Sequence, residues 1–152
     1  MSALNLTAAS AIVDAALATA AELGCGPMTV AVLDAGGHLT AFKRSDGSGI
    51  MRPQVAVAKA WACLGMGQGG RVLSERSAAN PPFFAALGQI SDGRFVPAVG
   101  GVLIRDGDGQ VVGAVGITGD RPDRDEACAV AAIESAGLRA DTGITTNHPA
   151  RR

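Results

Sequence analysis

The sequence predicts an α+β fold, with helices packed against an antiparallel sheet. Three observations carry this. Two pairs of short apolar runs are each split by a glycine-bearing turn, Asp34-Ala35-Gly36-Gly37 and Asp106-Gly107-Asp108-Gly109, which is the pattern of β-hairpins. Alanine-rich stretches with helical spacing lie before, between and after those hairpins. The chain has 152 residues, 47% hydrophobic and 18% charged, which suits one folded domain with one core.

The elements follow in order. Thr7 to Leu23 reads as a helix, with Thr7 as its cap, Val13, Leu17 and Ala20 on one face, and Gly24 as its stop. Met28 to Leu33 and His38 to Arg44 form the first hairpin, and 45–53 is a loop. Gln54 to Met66 is a second helix opened by Pro53 and broken by the glycines from Gly65 to Gly70. Val72 to Ala79 is a short helix stopped by Pro81-Pro82, and Phe83 to Leu87 one more turn. The segment from Phe95 to Arg105 begins as loop and becomes strand; Gln110 to Ile117 is its partner. Asp125 to Leu138 is the last helix, with Asp125 and Glu126 at the positive end of its dipole. The domain therefore spans 1–138, and a polar tail that frays, 139–152, follows.

Composition removes several functions. Thirteen basic and fourteen acidic residues give a net charge of -1, unlike a nucleic-acid binder that works by charge. With four Phe, one Trp and no Tyr, no aromatic platform for single strands can be built. With 29 Ala and 21 Gly, the core is made of small side chains in closely packed elements. No apolar run approaches the length of a membrane span. No Lys or Arg precedes Lys43, so no secretory signal is read and the chain is expected in the cytoplasm. Cys25, Cys63 and Cys128 make no C-x-x-C pair and read as small buried hydrophobes in a reducing compartment.

No strong catalytic motif is present. There is no Walker loop and no G-x-S-x-G elbow, and Gly65 to Gly70 follows a helix, not a strand. His148 lies in the tail and reads as solvated. His38 opens a strand after a Gly-Gly turn; it is either a half-exposed strand residue or an iron ligand or acid/base group at a sheet edge. Lys59 is the one cation inside the Ala/Val-rich helix. Burial obliges it to find a carboxylate, with Asp34, Asp46 and Asp125 as candidates, a carbonyl cluster or an anionic ligand. Arg44 and Arg52 flank the loop before that helix and, with Lys59, could hold a carboxylate. Trp61 falls on a different helix face from Lys59 and reads as a packing residue. The acidic group Asp120, Asp123, Asp125 and Glu126 lacks the spacing of an EF-hand and reads as helix capping. Gly113 and Gly116 sit inside a strand, where glycine marks a close approach to the backbone.

Five strings, at 30–47, 56–62, 80–84, 96–105 and 109–132, together resemble the GlcG/HbpS family, which includes the carboxy-terminal domain of PduO-type proteins. The resemblance implies a profilin-like sheet with helices packed on it and assembly into homodimers or larger rings such as octamers. It implies haem binding for some members, with haem degradation or iron handling. Carried onto this sequence, it makes His38 the candidate axial ligand and Arg44, Arg52 and Lys59 candidate propionate partners. Gly101, Gly116 and Thr118 then line the pocket, beside Gly113. Two alternatives stay open: an enzyme or accessory protein acting on a carboxylated or hydroxylated acid, with Lys59 on the carboxylate, and a corrinoid-binding accessory protein.

Overall fold

The computed structural model describes residues 3–143; the expectation for His148 lies outside them. Helix α1 (Leu6–Glu22) leads into the hairpin β1 (Thr29–Asp34) and β2 (Leu39–Arg44). Three helices follow, α2 (Arg52–Met66), α3 (Gly70–Ala79) and α4 (Pro81–Ile90). The second hairpin, β3 (Gly101–Arg105) and β4 (Val111–Thr118), precedes α5 (Pro122–Ser135) and a short strand β5 (Arg139–Asp141).

The five strands form one antiparallel sheet in the order β2-β1-β4-β3-β5. The two hairpins lie side by side, with β1 and β4 pairing at the centre, Thr29 opposite Thr118 and Asp34 opposite Gly113. Helices cover both faces, so β1 is buried along nearly its whole length and reads as a continuous apolar run. Val30, Val32, Val115 and Ile117 point to the α1 and α5 side, where Ile12, Val13, Cys128 and Ile133 meet them. Leu33, Leu103 and Ala114 point to the other side, onto Ala60 and Cys63 of α2, with Leu73, Phe84 and Phe95 beyond. This alternation is the two-residue period of a strand, and it divides the core into two halves.

Helix α1 is capped by Asn5, whose side chain accepts from the Ala8 N–H at 2.8 Å, rather than by Thr7. The segment from Phe95 begins as loop, as expected, because it crosses from α4 back to the sheet, and becomes strand at Gly101. Helix α4 runs ten residues, since Pro81 and Pro82 fall in its first turn, where a missing N–H costs nothing. The expected tail does not fray at its start. Residues Arg139–Asp141 pair with β3, and Arg105 Nε donates to Asp141 at 2.8 Å. Among the described residues no helix is long and apolar enough to cross a membrane.

Candidate functional site

Five candidate residues come together where α2 lies on β4 and β3, and there they join helix to sheet. Lys59 Nζ donates to the Ile117 carbonyl at 2.9 Å and lies 3.5 Å from the Asp125 carboxylate. Both side chains are nearly out of solvent, at 7% and 2% exposure. Burial pulls the Lys59 ammonium below its ordinary pKa and pushes the Asp125 carboxyl up, each against the attraction of the other. Asp125 also accepts from the Asp120 N–H at 3.0 Å. Two turns earlier on α2, Arg52 Nη1 donates to the Thr118 hydroxyl at 2.7 Å.

The glycines of this region are contact points, not pocket floor. A side chain at Gly116 would run into the backbone of Ala56, and one at Gly101 into the Lys59 carbonyl and the Cys63 sulfur. Gly113 is closed in the same way by the Leu33 carbonyl. Small residues here let α2 rest on the sheet, so the space beside Gly101 and Gly116, expected to be pocket, is filled by the helix backbone. Lys59 is spent on Asp125 and Ile117, so it is not available to a ligand carboxylate either.

His38 stands apart from that group. It follows the first hairpin turn, at the Asp34–Gly113 end of the sheet, four residues along β4 from Ile117. Asp34 Oδ1 accepts from the N–H groups of Gly36 and His38, each at 3.0 Å, and so fixes the turn. The same carboxylate lies 3.0 and 3.1 Å from His38 Nδ1. Burial would raise the Asp34 carboxyl, but the hydrogen bonds from His38 and Gly36 and the His38 charge outweigh it and hold it low. Among the described residues Nε2 has no partner, and the side chain is 79% exposed. His38 and Asp34 line a cleft of about 400 Å³ whose walls include Leu4, Val111 and Val112.

Arg44 sits at the other end of β2, where it donates to the Ser48 carbonyl. Six residues of strand span roughly 20 Å, farther than a porphyrin's iron lies from its propionates. Arg44 and Arg52, near Thr29 and Thr118, therefore do not share one ligand with His38. A second, larger cleft of about 590 Å³ opens between β2 and α2, lined by Leu39, Phe42, Ile50, Val57 and Arg94 among others. Sequence reasoning missed it, because its walls come from three distant segments with no shared motif. The Arg94 guanidinium lies over the Trp61 ring at 4.7 Å, so Trp61 does pack, at the rim of the α2 core.

A protein-family model described as haem degrading protein HbpS-like matches residues 4–134. The chain belongs to the HbpS-like family. Among solved structures, it is similar to the PduOC–haem complex at 26% identity, with 90% of this chain and 97% of that one covered and a TM-score of 0.80. It is similar to Klebsiella pneumoniae protein ORFY at 26% identity, over 88% and 90% of the two chains, with a TM-score of 0.77. A double mutant of Streptomyces reticuli HbpS matches at 27% identity, over 89% and 88%, also with a TM-score of 0.77. No curated protein matches the sequence. The expected antiparallel sheet with packed helices is thus the fold of the HbpS-like family.

Proposed function

We propose that this HbpS-like chain binds haem or a similar tetrapyrrole, with His38 Nε2 as the iron ligand and the cleft beside it taking the edge of the macrocycle. The observation that carries this is the Asp34–His38 pair. A carboxylate on Nδ1 fixes the tautomer that leaves Nε2 as the lone-pair donor, and metal-bound histidines are characteristically held this way. The apolar walls at Leu4, Val111 and Val112 suit the flat face of a porphyrin. One relative and the family description point the same way: the PduOC structure contains haem, and the description speaks of haem degradation. When bound, haem would supply iron redox chemistry, with His38 as the residue that would hold it.

In this reading the protein serves haem degradation or iron handling in the cytoplasm as a homo-oligomer. The exposed apolar residues Ile50, at 94% exposure, and Leu39 at the larger cleft, with Met51 next to Ile50 in the chain, supply surface for a second copy. The reading as an enzyme acting on a carboxylated acid rested on Lys59, which the Asp125 pair occupies. No observation favours a corrinoid.

The test is a hemin titration followed in the visible spectrum. The wild type is expected to give a saturable Soret shift, His38→Ala to lose it, and Asp34→Asn to weaken it about 10–100-fold. An unchanged titration with His38→Ala would overturn the assignment.

A further inference from the structure

The larger cleft, between β2 and α2, is mostly apolar. Phe42 and Val57 line it, Ala58 is its buried floor, and the exposed Ile50 and Leu39 form its rim. Its volume of about 590 Å³ falls within the ~300–1,000 Å³ of small-molecule sites. One side is charged, and the turn after α4 builds it. Asp92, with φ 55, is the one non-glycine residue in the left-handed region among the described residues, and Gly93 follows at φ 77. Two left-handed residues in succession end α4 sharply and bring Arg94 to the cleft. Arg94 is held there twice. Its Nε donates to the Ser91 carbonyl at 2.9 Å, and the guanidinium lies over the Trp61 ring. These contacts use Nε and one face of the group. Among the described residues the two Nη groups have no hydrogen-bond partner, and no carboxylate pairs with them.

We infer that this cleft binds a monocarboxylic acid with an apolar chain, its carboxylate on the Nη groups of Arg94 and its chain against Phe42 and Val57. A guanidinium anchored through Nε and its face has its far end free for two parallel hydrogen bonds to a carboxylate. Because it is already held, little side-chain freedom is lost when the ligand arrives. The apolar lining takes the chain out of water. A sugar acid would press hydroxyls against Phe42 and Val57 without partners for them. Asp92 also lines the cleft, two residues from Arg94, and repels a second negative charge. Chain and charge together therefore define the ligand class. His38 and Asp34 line the other cleft, so the inference is independent of haem. The second copy proposed on Ile50 and Leu39 meets the rim and leaves the floor to the ligand.

The experiment titrates the full chain with octanoate by calorimetry and follows, in parallel, the emission of Trp61, the only tryptophan of the chain. Octanoate is expected to bind saturably and to change Trp61 emission, as its carboxylate draws on the guanidinium stacked there. Octanol and acetate each lack one half of the ligand and should bind about 10-fold more weakly or worse. Arg94→Gln should weaken octanoate about 10-fold and leave octanol unchanged. Phe42→Ser should weaken both, and His38→Ala should keep the wild-type affinity for octanoate. Octanoate that does not saturate, that octanol matches, that binds Arg94→Gln or Phe42→Ser as tightly as the wild type, or that is lost with His38→Ala would overturn the proposal.

Discussion

Lys59 and Asp125 are two charges taken out of water, and each is tolerated there because of the other. Lys59→Met leaves a buried, unpaired carboxylate and should cost about 3–5 kcal/mol in urea unfolding. Adding Asp125→Asn should recover part of that loss while keeping the Asp120 contact. If the single variant is as stable as the wild type, the pair does not hold α2 to the sheet. Asp34 makes the opposite case at the surface. Its carboxyl is lower in the folded chain than in the unfolded one, so its contribution is present above the ordinary carboxylate value. That contribution is lost as pH falls through the depressed folded value. Wild type and Asp34→Asn should therefore differ in melting temperature at neutral pH and converge in acid. A difference that persists or grows in acid would contradict this.

At the scale of elements, the position of α2 depends on what is missing from β3 and β4. Gly101 and Gly116 leave the helix backbone resting directly on the strands. Gly116→Ala should cost about 1–3 kcal/mol by overpacking and leave hemin affinity unchanged, since His38 is elsewhere. A neutral substitution would show that α2 has slack. Sequence reasoning located the hairpins and helices well because their periods and turn glycines are local signals. It saw that Gly113 and Gly116 meet something close, but took the neighbour for a ligand. A missing side chain marks proximity without saying what approaches, and only the tertiary structure identifies Ala56 and Leu33. The cap at Asn5 and the strand at 139–141 were illegible for related reasons. Asn5 competes with Thr7 two residues on, and a three-residue strand has too few positions to show a period.

For the whole molecule, the ends of the sheet have separate tasks. The Thr118 end is closed by Arg52, Lys59 and Asp125, while the Asp34 end presents His38 beside an apolar cleft. Lys59 and His38, both candidates from sequence, thus part company because α2 lays Lys59 on the Ile117 end of β4 while the first hairpin turn holds His38 at the Asp34–Gly113 end. The proposed self-association belongs to this scale as well. The wild type is expected to exceed the monomer mass in light scattering and Ile50→Lys with Met51→Glu to lower it; a mass unchanged by the substitutions would contradict an interface at this patch. The account stands on one coordination bond. A crystal structure of the hemin-loaded protein is expected to show the iron on His38 Nε2, with Asp34 still on Nδ1 and the porphyrin against Leu4 and Val112. Haem seated in the larger cleft by Phe42 and Arg94, with His38 free in solvent, would contradict it.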